Sequence, residues 1–260
     1  MRQASATLRG AQVSPFRTIT PPRRSRPGAR VVCFPHAGGT AAFFRDWKYL
    51  VPSRIDVLAV RYPGREDRIA EPPAQSVEEL ADAVTNGCCD LLDAPLILFG
   101  HSMGATIAHE VALRLQQRVP ERAAVTALLV SGRNAPGYAR QGRPLPADDP
   151  QLIAEITVMG GTDRRALENP ELRELILPAL RTDYRILERY AEKDPPASKL
   201  GVPVVAYHGA DDAQLDDAGV RGWAETTEST FMSRRFSGGH FYLTDHVQAV
   251  VDDFVSRFGI

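Results

Sequence analysis

The chain is poor in three features that would each have pointed to a particular class of protein. It has only three cysteines in 260 residues, Cys33, Cys88 and the adjacent Cys89. They are too few and too badly spaced for a disulfide framework or a zinc site, so a reducing, cytoplasmic setting is the simplest expectation. No stretch approaches the ~20 uninterrupted apolar residues that cross a bilayer, which excludes a helical membrane span. Lysine occurs only at Lys48, Lys193 and Lys199, leaving arginine to carry nearly all the positive charge. With 31 basic against 32 acidic side chains and 24% charged residues, bulk electrostatics favours neither disorder nor nucleic-acid binding. A hydrophobic content of 43% over this length is enough for one sizeable core.

The charge balance hides an asymmetry. Residues 1–30 hold seven arginines and no acid, a charge of +7, which leaves −1 − 7 = −8 on the other 230. Pro15, Pro21, Pro22 and Pro27 interrupt any amphipathic helix there. Residues 1–28 therefore read as a flexible basic leader ahead of a single domain over 29–260. An organelle transit peptide is the alternative; the apolar run of a secretory signal is missing.

From Arg30 onward short apolar runs alternate with helix-like stretches. Val31–Phe34, Ile55–Val60, Pro95–Phe99, Val125–Val130, Val202–Tyr207 and a run beginning at Thr230 read as strands buried on both faces. Ser76-Val77-Glu78-Glu79 is a capping box ahead of an apolar stripe through Val77, Leu80, Ala81, Val84, Cys88 and Leu91. A last helix reads from a Thr244 cap through Val247, Val250, Val251, Phe254, Val255 and Phe258. Such alternation predicts an α/β fold with a mostly parallel central sheet and helices on both faces. The rhythm breaks once: the 70 residues from Gly132 to Gly201 hold no convincing strand. An insertion of that size, approximately residues 133–200, is either a helical lid over a site or a small packing subdomain.

The chemistry is carried by Gly100-His101-Ser102-Met103-Gly104, a G-x-S-x-G directly after a predicted strand and before a predicted helix. A sharp strand-to-helix turn strains the serine backbone, and glycines at the flanking positions leave room for it. A serine hydroxyl needs a base within hydrogen-bond reach, itself oriented by a carboxylate. On this fold those partners follow in the order acid then histidine, each beyond a later strand. Gly209-Ala210-Asp211-Asp212 fills the first slot and Ser237-Gly238-Gly239-His240 the second. His240 is the candidate base. Asp212 is the candidate acid, with Asp211 its competitor. The backbone N–H groups of Met103 and of Ala37, in Phe34-Pro35-His36-Ala37-Gly38-Gly39, are candidates for an oxyanion hole.

At these residues the sequence resembles the stand-alone type II thioesterases of polyketide and nonribosomal peptide synthesis, within the α/β-hydrolases. The most specific matching pieces are Arg61-Tyr62-Pro63-Gly64-Arg65-Glu66-Asp67-Arg68 and Leu180-Arg181-Thr182-Asp183-Tyr184; Cys33–Gly39, Gly160-Gly161-Thr162 and Gly238-Gly239-His240-Phe241 add to them. The resemblance implies hydrolysis of acyl thioesters from the phosphopantetheine arm of acyl or peptidyl carrier proteins, with Ser102, His240 and Asp212 as triad. It implies no bound cofactor or metal, phosphopantetheine arriving on the partner. The insertion becomes a lid over an acyl pocket, where Leu175, Ile176, Leu180 and Tyr184 are candidates to limit chain length. Arg65, Arg68 or lid arginines are candidates to receive an acidic carrier. A cytoplasmic monomer with no nucleic-acid or membrane partner is expected. The rival readings are an esterase of small oxygen esters, an off-loading domain of a megasynthase and a non-catalytic carrier-binding module.

Overall fold

The computed structural model describes residues 14–22, 25–119, 125–138, 148–161 and 169–260. Seven strands form one sheet in the order β1-β3-β2-β4-β5-β6-β7. They are β1 (Phe16–Thr18), β2 (Ala29–Phe34), β3 (Ile55–Val60), β4 (Leu96–His101), β5 (Val125–Ser131), β6 (Val204–Gly209) and β7 (Phe231–Phe236). All neighbours pair in parallel except β1, which runs antiparallel along the outer edge of β3. The helices are α1 (Val77–Cys88), α2 (Met103–Arg118), α3 (Asp149–Met159), α4 (Pro170–Ala191), α5 (Asp217–Gly222) and α6 (Leu243–Phe258). This is the mostly parallel α/β sheet expected from the alternating pattern, and it fits the α/β-hydrolase fold that the resemblance implies.

The period-2 alternation of the strands divides the core between two faces. Val32, Phe34, Leu96 and Leu98 point to the side covered by α1 and α2. Val31, Cys33, Ile97 and Phe99 point to the other, where Phe44, Trp47 and Phe254 pack against them. Trp47 meets Phe99 at 4.8 Å and Phe254 at 6.0 Å between ring centroids, tying the 3-10 turn at Ala41–Tyr49 to α6 across that face. Ser76 caps α1 as the capping box predicts, its Oγ accepting from Glu79 N–H (3.1 Å), while the Glu79 carboxylate accepts from Gln75 N–H, one residue before the cap (2.7 Å). Cys88 is buried in the core, as its place on the stripe predicts.

Two expectations are corrected. The segment 1–28 is not a leader throughout, because Phe16–Thr18 is a strand of the sheet. Phe16 is buried, Arg61 N–H donates to the Pro15 carbonyl (2.8 Å), and Thr20 Oγ1 accepts from Val57 N–H (3.1 Å). A three-residue edge strand has no periodicity to read; its partners lie some forty residues away and are invisible locally. Residues 1–13 lie outside the described residues. The second correction is Thr244, which sits inside α6 and donates its hydroxyl to the Phe241 carbonyl (2.9 Å) instead of capping the helix.

Replacing Phe16 tests the edge strand. Phe16→Ala should lower the unfolding free energy by about 3 kcal/mol, since it empties a buried aromatic site. Urea denaturation measures this; an unchanged midpoint would return the segment to a leader.

Candidate active site

Parallel strands deliver their C-terminal ends to one edge, so the loops after β2, β4, β5, β6 and β7 meet there. The turn after β4 is the most constrained. Ser102 has φ 54 and ψ −119, a left-handed backbone that a non-glycine residue rarely adopts. Its N–H donates to the Ser131 carbonyl at the end of β5 (2.7 Å). A Cβ at Gly104 would lie 2.0 Å from the Phe34 carbonyl oxygen, and one at Gly100 2.2 Å from the Gly104 carbonyl oxygen. Glycine is required at both positions because α2 leaves the turn pressed against β2. Met103 opens α2, so its N–H is among those a helix start leaves without an internal partner.

The predicted partners come together. His240 Nδ1 lies 2.8 Å from Asp212 Oδ2, and Asp212 Oδ1 accepts from Gln214 N–H (2.9 Å). Both side chains are buried, whereas Asp211 is exposed. A Cβ at Gly209 would lie 2.2 Å from the Gly239 carbonyl oxygen, so this glycine lets the loop carrying His240 close on the end of β6. Ser102, His240, Ala37 and Gly132 border one cavity, of about 1490 Å³ including its open mouth. A serine hydroxyl, a histidine backed by a carboxylate and the Ala37 backbone around one cleft suit acyl transfer. Among the described residues no group of three or more His, Cys, Asp or Glu is placed to hold a metal ion.

The opposite wall comes from the insertion, where α3 and α4 stand between β5 and β6. Leu152, Ile156, Leu177 and Leu180 form a small core of their own, with Ala37 and Tyr184 packed on it. Far along α4, Tyr190 donates to Glu110 Oε1 of α2 (2.6 Å), anchoring the helix to the main body. Leu180 and Tyr184 line the cavity as expected; Leu175 does not, being 60% exposed, and Ile176 is absent from the wall. Leu175 and Ile176 lie in the first half of α4, ahead of Leu180, the first residue of that helix to line the cavity. Thr162 of the Gly160-Gly161-Thr162 run lies outside the described residues, while Gly161 packs so closely on Phe241 that a Cβ would meet its ring at 2.1 Å.

Arg65 and Arg68 are also reassigned. Arg65 is buried in a bidentate pair with Asp183 of α4 (2.7 Å for each contact), and Arg68 is held by Glu71 and the Arg61 carbonyl. Neither guanidinium is free for a partner protein. The sequence flagged both the Arg65 and Asp183 runs as distinctive but could not show that they meet.

The histidines around His240 are held neutral. Burial first, then the nearby His240 and Arg65, pushes the His36 pKa down to about 3. His101 lies well below the usual range because of burial, then His240 and His36. His101 Nδ1 instead lies 2.9 Å from Ser131 Oγ, which lies 2.7 Å from the Tyr242 hydroxyl. His109, further along α2, is lowered to about 4 by burial; neither ring nitrogen has a hydrogen-bond partner among the described residues.

These depressed values set a direction for acid sensitivity. The unfolded chain protonates its histidines near pH ~6.5, whereas the folded chain resists until about 4 at His109 and about 3 at His36. The stability they confer is complete above ~6.5 and is lost as the pH falls through that window. Unfolding free energy plotted against pH should be shallower for His109→Leu, by about 1.4 kcal/mol per pH unit below pH ~6. Identical slopes in urea titrations of the two proteins would contradict the neutral assignment.

Comparison with known proteins agrees with this geometry. The Thioesterase domain family matches residues 29–258. The chain is 44% identical to Thioesterase PikA5 of Streptomyces venezuelae over 226 residues, 86% of this chain and 79% of that protein. The solved type II thioesterase BorB, from the borrelidin biosynthetic cluster, superposes with a TM-score of 0.81 at 37% identity, covering 93% of this chain and 96% of that one. YbtT, a type II thioesterase from the yersiniabactin pathway, superposes at 0.82 with 30% identity, covering 94% and 98%. The family match begins at the first residue of β2 and ends at the last residue of α6, enclosing every loop of the cleft. This chain belongs to the thioesterase family, on the α/β-hydrolase fold.

Proposed function

We propose that the chain hydrolyses acyl thioesters carried on the phosphopantetheine arm of carrier domains, clearing aberrant or short acyl groups from a polyketide or nonribosomal peptide assembly line. The observation that carries the reading is the Asp212–His240 contact of 2.8 Å beside the cavity that His240 shares with Ser102. Its extension to carrier-bound substrates rests on relatives named as type II thioesterases of such pathways.

In this reading His240 takes the Ser102 hydroxyl proton as Oγ attacks the thioester carbonyl. The carbonyl oxygen becomes an oxyanion between the Ala37 and Met103 N–H groups. Collapse breaks the C–S bond, and the pantetheine sulfur leaves as the thiol with the proton from His240. A thiol is a good leaving group and needs little of that acid help. Water then attacks the acyl-serine, giving its proton to His240, and the free acid departs as Ser102 recovers its own. Asp212 keeps the imidazole in the tautomer and orientation that both steps need. Ile156, Met159, Leu180 and Leu187 supply apolar wall for an acyl chain, with α3 and α4 acting as the lid.

Acyl release from carrier protein loaded with acetyl, propionyl and longer chains, followed by intact mass, tests the proposal. Ser102→Ala should lower kcat by roughly 10⁵–10⁶-fold. Asp212→Asn should lower it by roughly 10³–10⁴-fold, while Asp211→Asn stays within about threefold. A larger loss in Asp211→Asn would reverse the acid assignment. Faster turnover of small oxygen esters than of any carrier-bound thioester would replace the reading with that of a general esterase.

A further inference from the structure

The three amides of the loop after β2 are not equally available. Gly39 N–H donates to the His36 carbonyl (2.9 Å), and Gly38 N–H donates to Asp183 Oδ2 (2.8 Å). The Ala37 N–H has no acceptor among the described residues, and Ala37 borders the cavity with Ser102. A trans peptide is planar, with its C=O and N–H pointing opposite ways. Fixing the His36 carbonyl on Gly39 therefore fixes the direction of the Ala37 N–H. Fixing the Gly38 N–H on Asp183 holds the next peptide plane, and Ala37 is pinned from both sides.

The second of those restraints comes from far away in the chain. Asp183 lies midway along α4, is 2% exposed, and commits both oxygens. Oδ2 accepts from Gly38 N–H and Arg65 Nη1, and Oδ1 accepts from Arg65 Nη2 at 2.7 Å. Arg65 Nη1 also reaches the Gly39 carbonyl (3.3 Å). One turn earlier on α4, Leu180 occupies the space beside Gly38: a Cβ there would lie 2.7 Å from Leu180 Cδ1. Gly38 has φ +71, so a side chain would be strained as well as crowded. A buried ion pair is a weak source of stability, since desolvation consumes most of its Coulomb gain. What this one supplies is a direction for a backbone N–H, with the carboxylate charge matched by Arg65 so that no net negative charge faces the cleft.

We infer that Asp183, backed by Arg65, is a positioning residue for oxyanion stabilisation, holding Ala37 in register and making a competent oxyanion hole conditional on α4 being seated. Ala37 meets the developing charge; Asp183 acts through the loop. The lid helix is thereby part of the catalytic apparatus as well as a wall of the pocket, and an unseated α4 loses rate before it loses binding. The inference rests on the oxyanion role proposed above for Ala37.

The test compares a trifluoromethyl ketone analogue of an acyl-pantetheine, which forms a tetrahedral oxyanion on Ser102, with the corresponding amide, which stays planar. Wild type, Asp183→Asn and Arg65→Lys are measured as full chains, with circular dichroism and thermal melts reporting the fold. Asp183→Asn should lower kcat by roughly 10- to 100-fold with KM within about threefold. Its affinity for the ketone should fall by the same factor, and its affinity for the amide should stay within about twofold of wild type. Arg65→Lys, which keeps the charge but loses the two-pronged contact, should give a smaller loss of the same pattern and carries the comparison if Asp183→Asn does not fold. Equal losses for ketone and amide, or an undiminished kcat, would overturn the positioning role. If wild type itself binds ketone and amide equally, the oxyanion reading of the loop fails, which is a different result from a variant that discriminates as well as wild type.

Discussion

The site depends on one backbone constraint, the left-handed conformation of Ser102 between a strand and a helix that touches its neighbouring strand. Gly104 lies against the Phe34 carbonyl and Gly100 against the Gly104 carbonyl, closer than any side chain permits. That crowding turns the chain sharply and leaves Ser102 at the tip of the sheet, with α2 starting beneath it. The parallel order of the central strands does the rest. Adjacent strands end at the same edge, so the loops carrying Ala37, Asp212 and His240 arrive around the same point without long connections. Gly209 repeats the device on a smaller scale, admitting the Gly238-Gly239 backbone beside the end of β6. Strain at the serine is thus sustained by packing on both sides of it.

What the sequence made legible were the features with a local signal. Six of the seven strands announced themselves as apolar runs, and Ser102 and His240 as glycine-flanked residues beyond strand ends. The acid could not be resolved locally because Asp211 and Asp212 are neighbours with the same chemistry; the turn exposes one and buries the other against His240. The misread or missed features are non-local. β1 is defined by hydrogen bonds to β3 and not by any pattern of its own. Thr244 has the chemistry of a cap, but the helix begins one residue earlier, on Leu243. The meeting of Arg65 with Asp183 spans 118 residues and joins two runs that are each distinctive but carry no local sign that they touch.

Charge is used sparingly and in pairs. Arg65 is spent inside the molecule on Asp183 and Arg68 on Glu71, so both organise loops instead of presenting a basic surface. The excess of seven arginines in residues 1–30 is divided as well: Arg17 meets Glu66 (3.2 Å) and Arg30 pairs with Asp93, so part of the basic segment belongs to the folded domain. Around His240, burial keeps His36 and His101 uncharged, which leaves the imidazole beside Asp212 as the ring with a carboxylate partner.

The central claim is that acyl transfer passes through Ser102. The most direct measurement is rapid-quench trapping of the enzyme during turnover of a carrier-bound thioester, followed by peptide mapping. The account predicts a single acyl mass on the peptide containing Ser102, rising before free acid is released and decaying with it. Acyl mass on another residue, or acid released at full rate with Ser102 unmodified throughout, would contradict it.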